Sequence, residues 1–184
     1  KLSNVDIIAF LNSDDFYANN NVIKSFVREF EKYPNIDACY SDLLYVQQQD
    51  TTKIVRYWKS ENFCPGAFSR GWSPPHPTFF ARSSLFNRYG NFDLNYKIAA
   101  DTELMMRFLE VNKIKTRYLP LVTVKMRIGG TSNKNLKNVY KQNLEILQAL
   151  KKHSLGINPF LFFINKFYLR ALQYLKKSVQ VKKI

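Results

Sequence analysis

The chain has 184 residues, 46% hydrophobic and 23% charged, a composition that sustains one globular domain and argues against a disordered tail. Two cysteines without CxxC spacing (Cys39 and Cys64) and two histidines exclude a structural zinc module and a disulfide framework, so a reducing compartment is expected. The net charge of +14 is lopsided: residues 1–103 hold 11 Lys and Arg against 12 Asp and Glu, whereas residues 104–184 hold 17 against 2, a back half suited to nucleic acid, anionic lipid or a phosphorylated substrate.

In chain order, residues 5–11 (VDIIAFL) form a nearly continuous apolar run and predict a buried strand of a parallel sheet. It ends on Asn12-Ser13-Asp14-Asp15, four polar residues at a strand's carboxyl end. Asn20 or Asn21 then caps a helix with Val22, Ile23, Phe26, Val27 and Phe30 on its inner face, stopped by Pro34. Strands follow at 36–46 and 53–58. Residues 62–77 (NFCPGAFSRGWSPPHP) carry too much proline for a helix and read as a loop. A short strand at 78–81 leads into a helix from Ser83 that Gly90 closes. Residues 99–111 predict a helix, and 116–128 an extended segment that Gly129-Gly130 breaks. From Lys134 the pattern is helical only. Leu136, Val139, Tyr140, Leu144, Leu147 and Leu150 form one stripe. After Asn158-Pro159, a helix over 159–177 shows Phe160, Phe163, Ile164, Phe167, Ala171, Leu172 and Leu175 inward, with Lys166, Arg170, Gln173 and Lys177 opposite. Its charges exclude a membrane span, and the acids near the start of the chain leave no secretory signal expected. Strands and helices alternate first and helices follow, so the expected class is α/β with a helical tail, divided at 1–133 and 134–184.

Four groups of residues can carry chemistry. Asp14 and Asp15 are adjacent hard oxygen donors at a strand end, where open parallel sheets gather ligands; they either suit Mg²⁺ or Mn²⁺ or cap the following turn. Asp101 falls at a helix N-terminus, as a cap or as a general base. His76 is displayed by a loop that Pro74, Pro75 and Pro77 stiffen. Arg127 followed by Gly129-Gly130 and Thr131-Ser132-Asn133 makes either a diphosphate cradle or an ordinary loop.

Taken together, IIAFLNSDDFYA, PPHPTFFARSSLFNRYGNFDLNYKIAADTELMMRF and VKMRIGGTSN resemble, in order and spacing, the family 2 glycosyltransferases with a GT-A fold, especially bacterial enzymes of lipopolysaccharide and other surface glycans. The likeness runs from about Val5 to Leu150. It implies a partial GT-A (Rossmann-like) mixed sheet flanked by helices, and an inverting transfer of sugar from a nucleoside-diphosphate donor to a glycan or lipid-linked acceptor. By resemblance Ser13-Asp14-Asp15 stands at the DxD element, with Asn12 replacing its usual first aspartate, so Asp14 and then Asp15 become the ligands of Mn²⁺ or Mg²⁺. Asp101 matches the catalytic base; Ala100 replaces the glutamate common before it, leaving Glu103 as a stand-in. Arg127, Gly129 and Gly130 match positions near the donor diphosphate, and His76 matches a recurrent loop histidine near the donor phosphate or the acceptor. Trp72 and Phe68, with Phe63, offer an acceptor wall. The family's amino-terminal nucleotide-binding half, roughly 80 to 90 residues, has no counterpart here, and a fragment is expected.

The alternatives are an inactive remnant of that family, or a basic nucleic-acid-binding domain. No RRM, KH, zinc-finger or helix-turn-helix pattern supports the latter, so no specific nucleic acid is expected as partner. The helix at 159–177 is expected on an anionic membrane surface, at the cytoplasmic face, or packed on the catalytic domain with its lysines solvated.

Overall fold

The structure, a computed structural model, describes residues 5–129 and 136–175. Its elements are β1 (Ile7–Ile8), β2 (Phe16–Tyr17), α1 (Val22–Lys32), β3 (Ala38–Val46), β4 (Ile54–Trp58), β5 (Phe80–Arg82), α2 (Ser83–Tyr89), α3 (Ala100–Met106), β6 (Thr116–Arg127), α4 (Leu136–Lys152) and α5 (Pro159–Leu175). The fold is α/β, a mixed sheet flanked by helices with a helical carboxyl-terminal end. β3 is buried at every position because strands cover both its edges. It runs parallel to β6 and antiparallel to β4 and β5. The sheet order is β1-β5-β3-β6-β2, with β4 joining β3 beside β5.

The apolar run at 5–11 yields far less strand than its composition predicts. Only Ile7 and Ile8 pair, and they do so antiparallel, opposite Arg82 and Ala81. Phe10 then leaves the sheet to set its ring against Phe92 at 4.9 Å and His76 at 5.8 Å. α1 buries Val22, Phe26 and Phe30 against the sheet, one row at fourfold spacing, and Phe26 stacks on Phe80 at 3.8 Å. Ile23 and Val27, expected inward, lie outside that narrow row and are exposed.

Residues 99–111 are helical, but the helix changes pitch. After α3 the chain widens into a π turn over Arg107–Val111, closed by the Asn112 N–H on the Arg107 carbonyl at 3.0 Å. That turn has a use. Glu110 accepts hydrogen bonds from the amides of Gly66 (2.9 Å) and Phe68 (3.3 Å), tying down the proline-rich loop.

The carboxyl-terminal helices join the same core as α3, through Ile146, Ala149, Leu150 and Phe162. α4 is rolled away from its expected stripe: Tyr140 and Leu144 are exposed, whereas Asn143 and Glu145 are buried. The roll is explained by Glu145, whose Oε2 accepts the amides of Ile98 (2.8 Å) and Ala99 (2.9 Å) just before α3. α5 reverses expectation more completely. Phe160, Phe163, Ile164 and Phe167 point outward, and Lys166, Arg170 and Gln173 turn toward the interior face with Leu172. Phe162, missing from the expected apolar face, is the fully buried anchor. The helix lies so close to the proline-rich loop that a Cβ on Gly71 (φ +80°) would stand 3.0 Å from the Phe162 carbonyl oxygen and from Lys166 Cβ.

Candidate active site

The polar residues after β1 form a closed turn. The Asp15 N–H donates to the Asn12 carbonyl at 3.1 Å. The Asp15 carboxylate accepts from Asn12 Nδ2 at 2.7 Å and from the Arg127 amide at 3.3 Å. Asp15 is buried, and burial raises its carboxyl above the ordinary range against the opposing pull of the Asn12 hydrogen bond. Asp14, next in chain, faces the cavity. Among the described residues nothing hydrogen-bonds its carboxylate, while its carbonyl accepts from the Arg127 guanidinium at 2.6 Å. Two neighbouring acids thus have different environments: Asp15 braces the turn and Asp14 presents a free carboxylate.

Asp101 is the second residue of α3. The N-cap position belongs to Ala99, and no side chain caps the helix, so Asp101 is not the cap. Its Oδ1 accepts the Thr102 amide at 2.7 Å, and its Oδ2 stands 3.7 Å from His76 Nδ1. Burial lowers the His76 pKa, with the Asp101 charge opposing, so the imidazole is neutral near pH 7. His76 is held by the short turn His76–Thr78 between Phe10 and Phe92, and its buried Nε2 has no hydrogen-bond partner among the described residues.

One cavity of about 1220 Å³ gathers Asp14, Asp15, Asp101, His76, Arg127 and Trp72. It exceeds the roughly 300–1,000 Å³ of a typical small-molecule site, room enough for two substrates. Four expected residues lie elsewhere; one of them, Phe63, is outside the lining and packs on Phe68 and Trp72 with ring centroids 6.3 Å from each. Glu103 is fully buried on the far side of α3, paired with Arg107 at 3.0 Å and His153 at 2.7 Å, and serves as a structural ion-pair centre. Phe68 is 1% exposed and packs in the core against Trp72. Gly129 closes β6 with φ +114° outside the cavity lining. Gly130 and Thr131-Ser132-Asn133 lie outside the described residues.

The cavity also collects residues that the sequence reading passed over. Arg56 of β4 lies flat on Tyr45, its guanidinium 3.7 Å from the ring centroid, and lines the same space as Lys166 and Arg170 of α5. Beneath them Asp42 accepts from Tyr118 at 2.8 Å, the Ser60 amide at 2.7 Å and the Tyr57 hydroxyl, so two cavity tyrosines are fixed by one buried carboxylate. The only sequence signal for these was a cation or acid inside a strand or helix, which by itself reads as surface.

No family model and no curated protein matches the sequence. Among solved structures, residues 1–349 of S. aureus TarS, a glycosyltransferase, superpose with a TM-score of 0.50 and 14% identity, over 98% of this chain and 52% of that one. The chain therefore has a glycosyltransferase-like fold and spans about half the length of that structure.

Proposed function

We propose that the protein is an inverting glycosyltransferase, moving a sugar from a nucleoside-diphosphate donor to a glycan or lipid-linked acceptor in cell-surface polysaccharide synthesis. The observation that carries this reading is the convergence of the Asp14 carboxylate and Asp101 on one cavity, from elements far apart in sequence, within a fold shared with a glycosyltransferase.

The described residues hold no cluster of three or more metal-ligating side chains. One free carboxylate backed by a second is the donor set that Mg²⁺ or Mn²⁺ accepts when substrate phosphates and water complete the shell. Asp14, with Asp15 behind it, would hold such an ion, which would supply charge neutralisation at the donor diphosphate. Arg127 fixes the turn and adds positive charge beside it. Asp101 takes the proton of the acceptor hydroxyl as that oxygen bonds to the anomeric carbon, while the bond to the diphosphate breaks on the opposite face. His76, being neutral, stands 3.7 Å from Asp101 without forming an ion pair with it. Trp72 supplies an apolar wall for a sugar face. The test is release of nucleoside diphosphate from sugar nucleotides with Mn²⁺, in the protein and in Asp101→Asn. Equal rates in both remove Asp101 from the chemistry.

The outward face of α5 supports an attachment to an anionic membrane surface. Phe160 is 72% and Phe167 is 78% exposed, and with Phe163, Ile164 and Tyr168 they form an apolar patch. No helix among the described residues is long and apolar enough to cross a membrane. Lys151 and Lys152 of α4 are exposed, and Lys176, Lys177, Lys182 and Lys183, outside the described residues, continue the basic sequence. Aromatic anchoring with nearby lysines is the make-up of an interfacial helix. Co-sedimentation with anionic vesicles at low salt, lost in Phe163→Glu/Phe167→Glu, checks it; an intact chain that ignores such vesicles ends this part of the reading.

A further inference from the structure

α5 is amphipathic the wrong way round for a helix packed on a domain, because its aromatic face meets solvent and its cations meet the cavity. Turning a lysine and an arginine inward is unfavourable unless something in the cavity needs them. Lys166 lies with its ammonium 5.2 Å from the Phe162 ring. Burial first, and the Arg170 charge second, lower it to about 8. Arg170 follows one helical turn later, on the same face. Across from them Arg56 is 5% exposed, sandwiched by Tyr45 and, at 5.8 Å, the rings of Trp58 and Tyr174. Its guanidinium hydrogen-bonds Tyr45, but among the described residues its buried Nε has no partner. Among the described residues no carboxylate forms an ion pair with Arg56 or Lys166. The Arg170 charge also repels both Arg56 and Lys166. Like charges held together in a desolvated wall, with a donor left unused, describe a seat for an anion.

That seat is distinct from the donor end. Arg127 ends β6 and holds the turn that carries Asp14, whereas Arg56 is on β4, the strand across β3, where Tyr45 pairs with Arg56 on one side and Met126 on the other. Two strand spacings separate the rows by about 10 Å. The opposite charge that reaches Lys166 is that of Asp101, so the cationic wall borders the residue assigned to the acceptor hydroxyl. Two guanidinium groups and an ammonium offer more donors than the two oxygens of a carboxylate can use, and they match the several oxygens of a phosphate.

We propose that Arg56, Lys166 and Arg170 form an anion subsite on the acceptor side of the cavity, which takes a phosphate monoester or diester carried by the acceptor. This rests on the glycosyl-transfer reading for the word acceptor, but its test does not depend on turnover. The protein is titrated calorimetrically with inorganic phosphate at pH 7, low salt and with EDTA, so that no metal recruits phosphate at Asp14. Saturable binding is expected, weakened at least tenfold in Lys166→Gln and in Arg170→Gln, retained in Lys166→Arg and unchanged in Asp14→Asn. Melting temperatures are taken alongside. If Lys166→Gln does not fold, Arg170→Gln against Arg170→Lys decides the matter. Competition by glycerophosphoglycerol identifies a soluble phosphodiester as the source, and competition only by an alkyl phosphate in micelles identifies a lipid. Phosphate that fails to bind, binds the neutralised variants as tightly as the parent, or is lost in Asp14→Asn overturns the subsite. Loss of turnover in the Asp101 test leaves these readings untouched.

Discussion

Arg127 holds Asp14 from behind: its guanidinium donates to the Asp14 carbonyl at 2.6 Å, while its own amide donates to Asp15 at 3.3 Å. The last residue of β6 thereby fixes the turn that follows β1, across more than a hundred residues of chain. In Asp14→Ala, metal-dependent transfer is expected to vanish with stability within about 0.5 kcal/mol of the parent, because the side chain makes no described hydrogen bond. In Arg127→Gln the turn loses a charged donor, and transfer should fall about 10²-fold with a stability loss near 1 kcal/mol. Parallel rate and urea-unfolding measurements separate the two. An Asp14→Ala protein that keeps its metal-dependent rate moves the ligand role elsewhere.

Asp101→Asn should lower kcat by orders of magnitude with donor affinity unchanged, as expected for a base and not for a binding contact. The fold should tolerate it, since Glu145 and not Asp101 receives the amides that precede α3. A variant that loses melting temperature and keeps its rate would make Asp101 structural.

The elements that the sequence made legible are those whose pattern answers only to local rules. α2 stops at Gly90, where φ is +88°, and β4 at Ile54–Trp58 falls within the expected 53–58. The acids at 14, 15 and 101 were legible as types at strand and helix ends. Their roles were not. Asp15 is consumed by Asn12 and the Arg127 amide, contacts set by the β2–β6 pairing. Helix faces misled where a polar contact outweighed the apolar stripe: Glu145 rolls α4, and the close approach of α5 to Gly71 fixes which side of that helix turns inward. A hydrophobic stripe reports which face avoids water in a lone domain. It does not report the polar contacts and close backbone approaches that decide which face of a helix turns inward.

Gly71 sets the seating of α5. A methyl group there would meet the Phe162 carbonyl and Lys166 at 3.0 Å, at a backbone angle of φ +80° that L side chains rarely adopt. Gly71→Ala should cost about 1–3 kcal/mol and displace the helix. The specific expectation is increased proteolysis after residue 158, with the sheet's circular dichroism unchanged. A variant as stable and protease-resistant as the parent would show that α5 is not locked at this point.

His76 gives the fold a pH dependence with a definite sign. In the unfolded chain its imidazole titrates near 6.5. In the fold, burial between Phe10 and Phe92 lowers that value, and the charge of Asp101 only partly opposes it. Below 6.5 the unfolded chain therefore binds more protons than the native one, so acid favours unfolding. The stabilising contribution is complete above 6.5, declines as pH falls through it, and levels off below the folded pKa. One proton limits the slope to about 1.4 kcal/mol per pH unit. Asp15 and Asp42, whose carboxyls burial raises, act in the opposite direction, so the parent is compared with His76→Gln, which shares both, over the window between 7.5 and about 5.5. Urea midpoints across that window should fall for the parent and stay nearly level for His76→Gln, which keeps a polar ring-sized group without the titration. Parallel curves for the two proteins would assign the slope to another group and show that His76 accepts its proton in place.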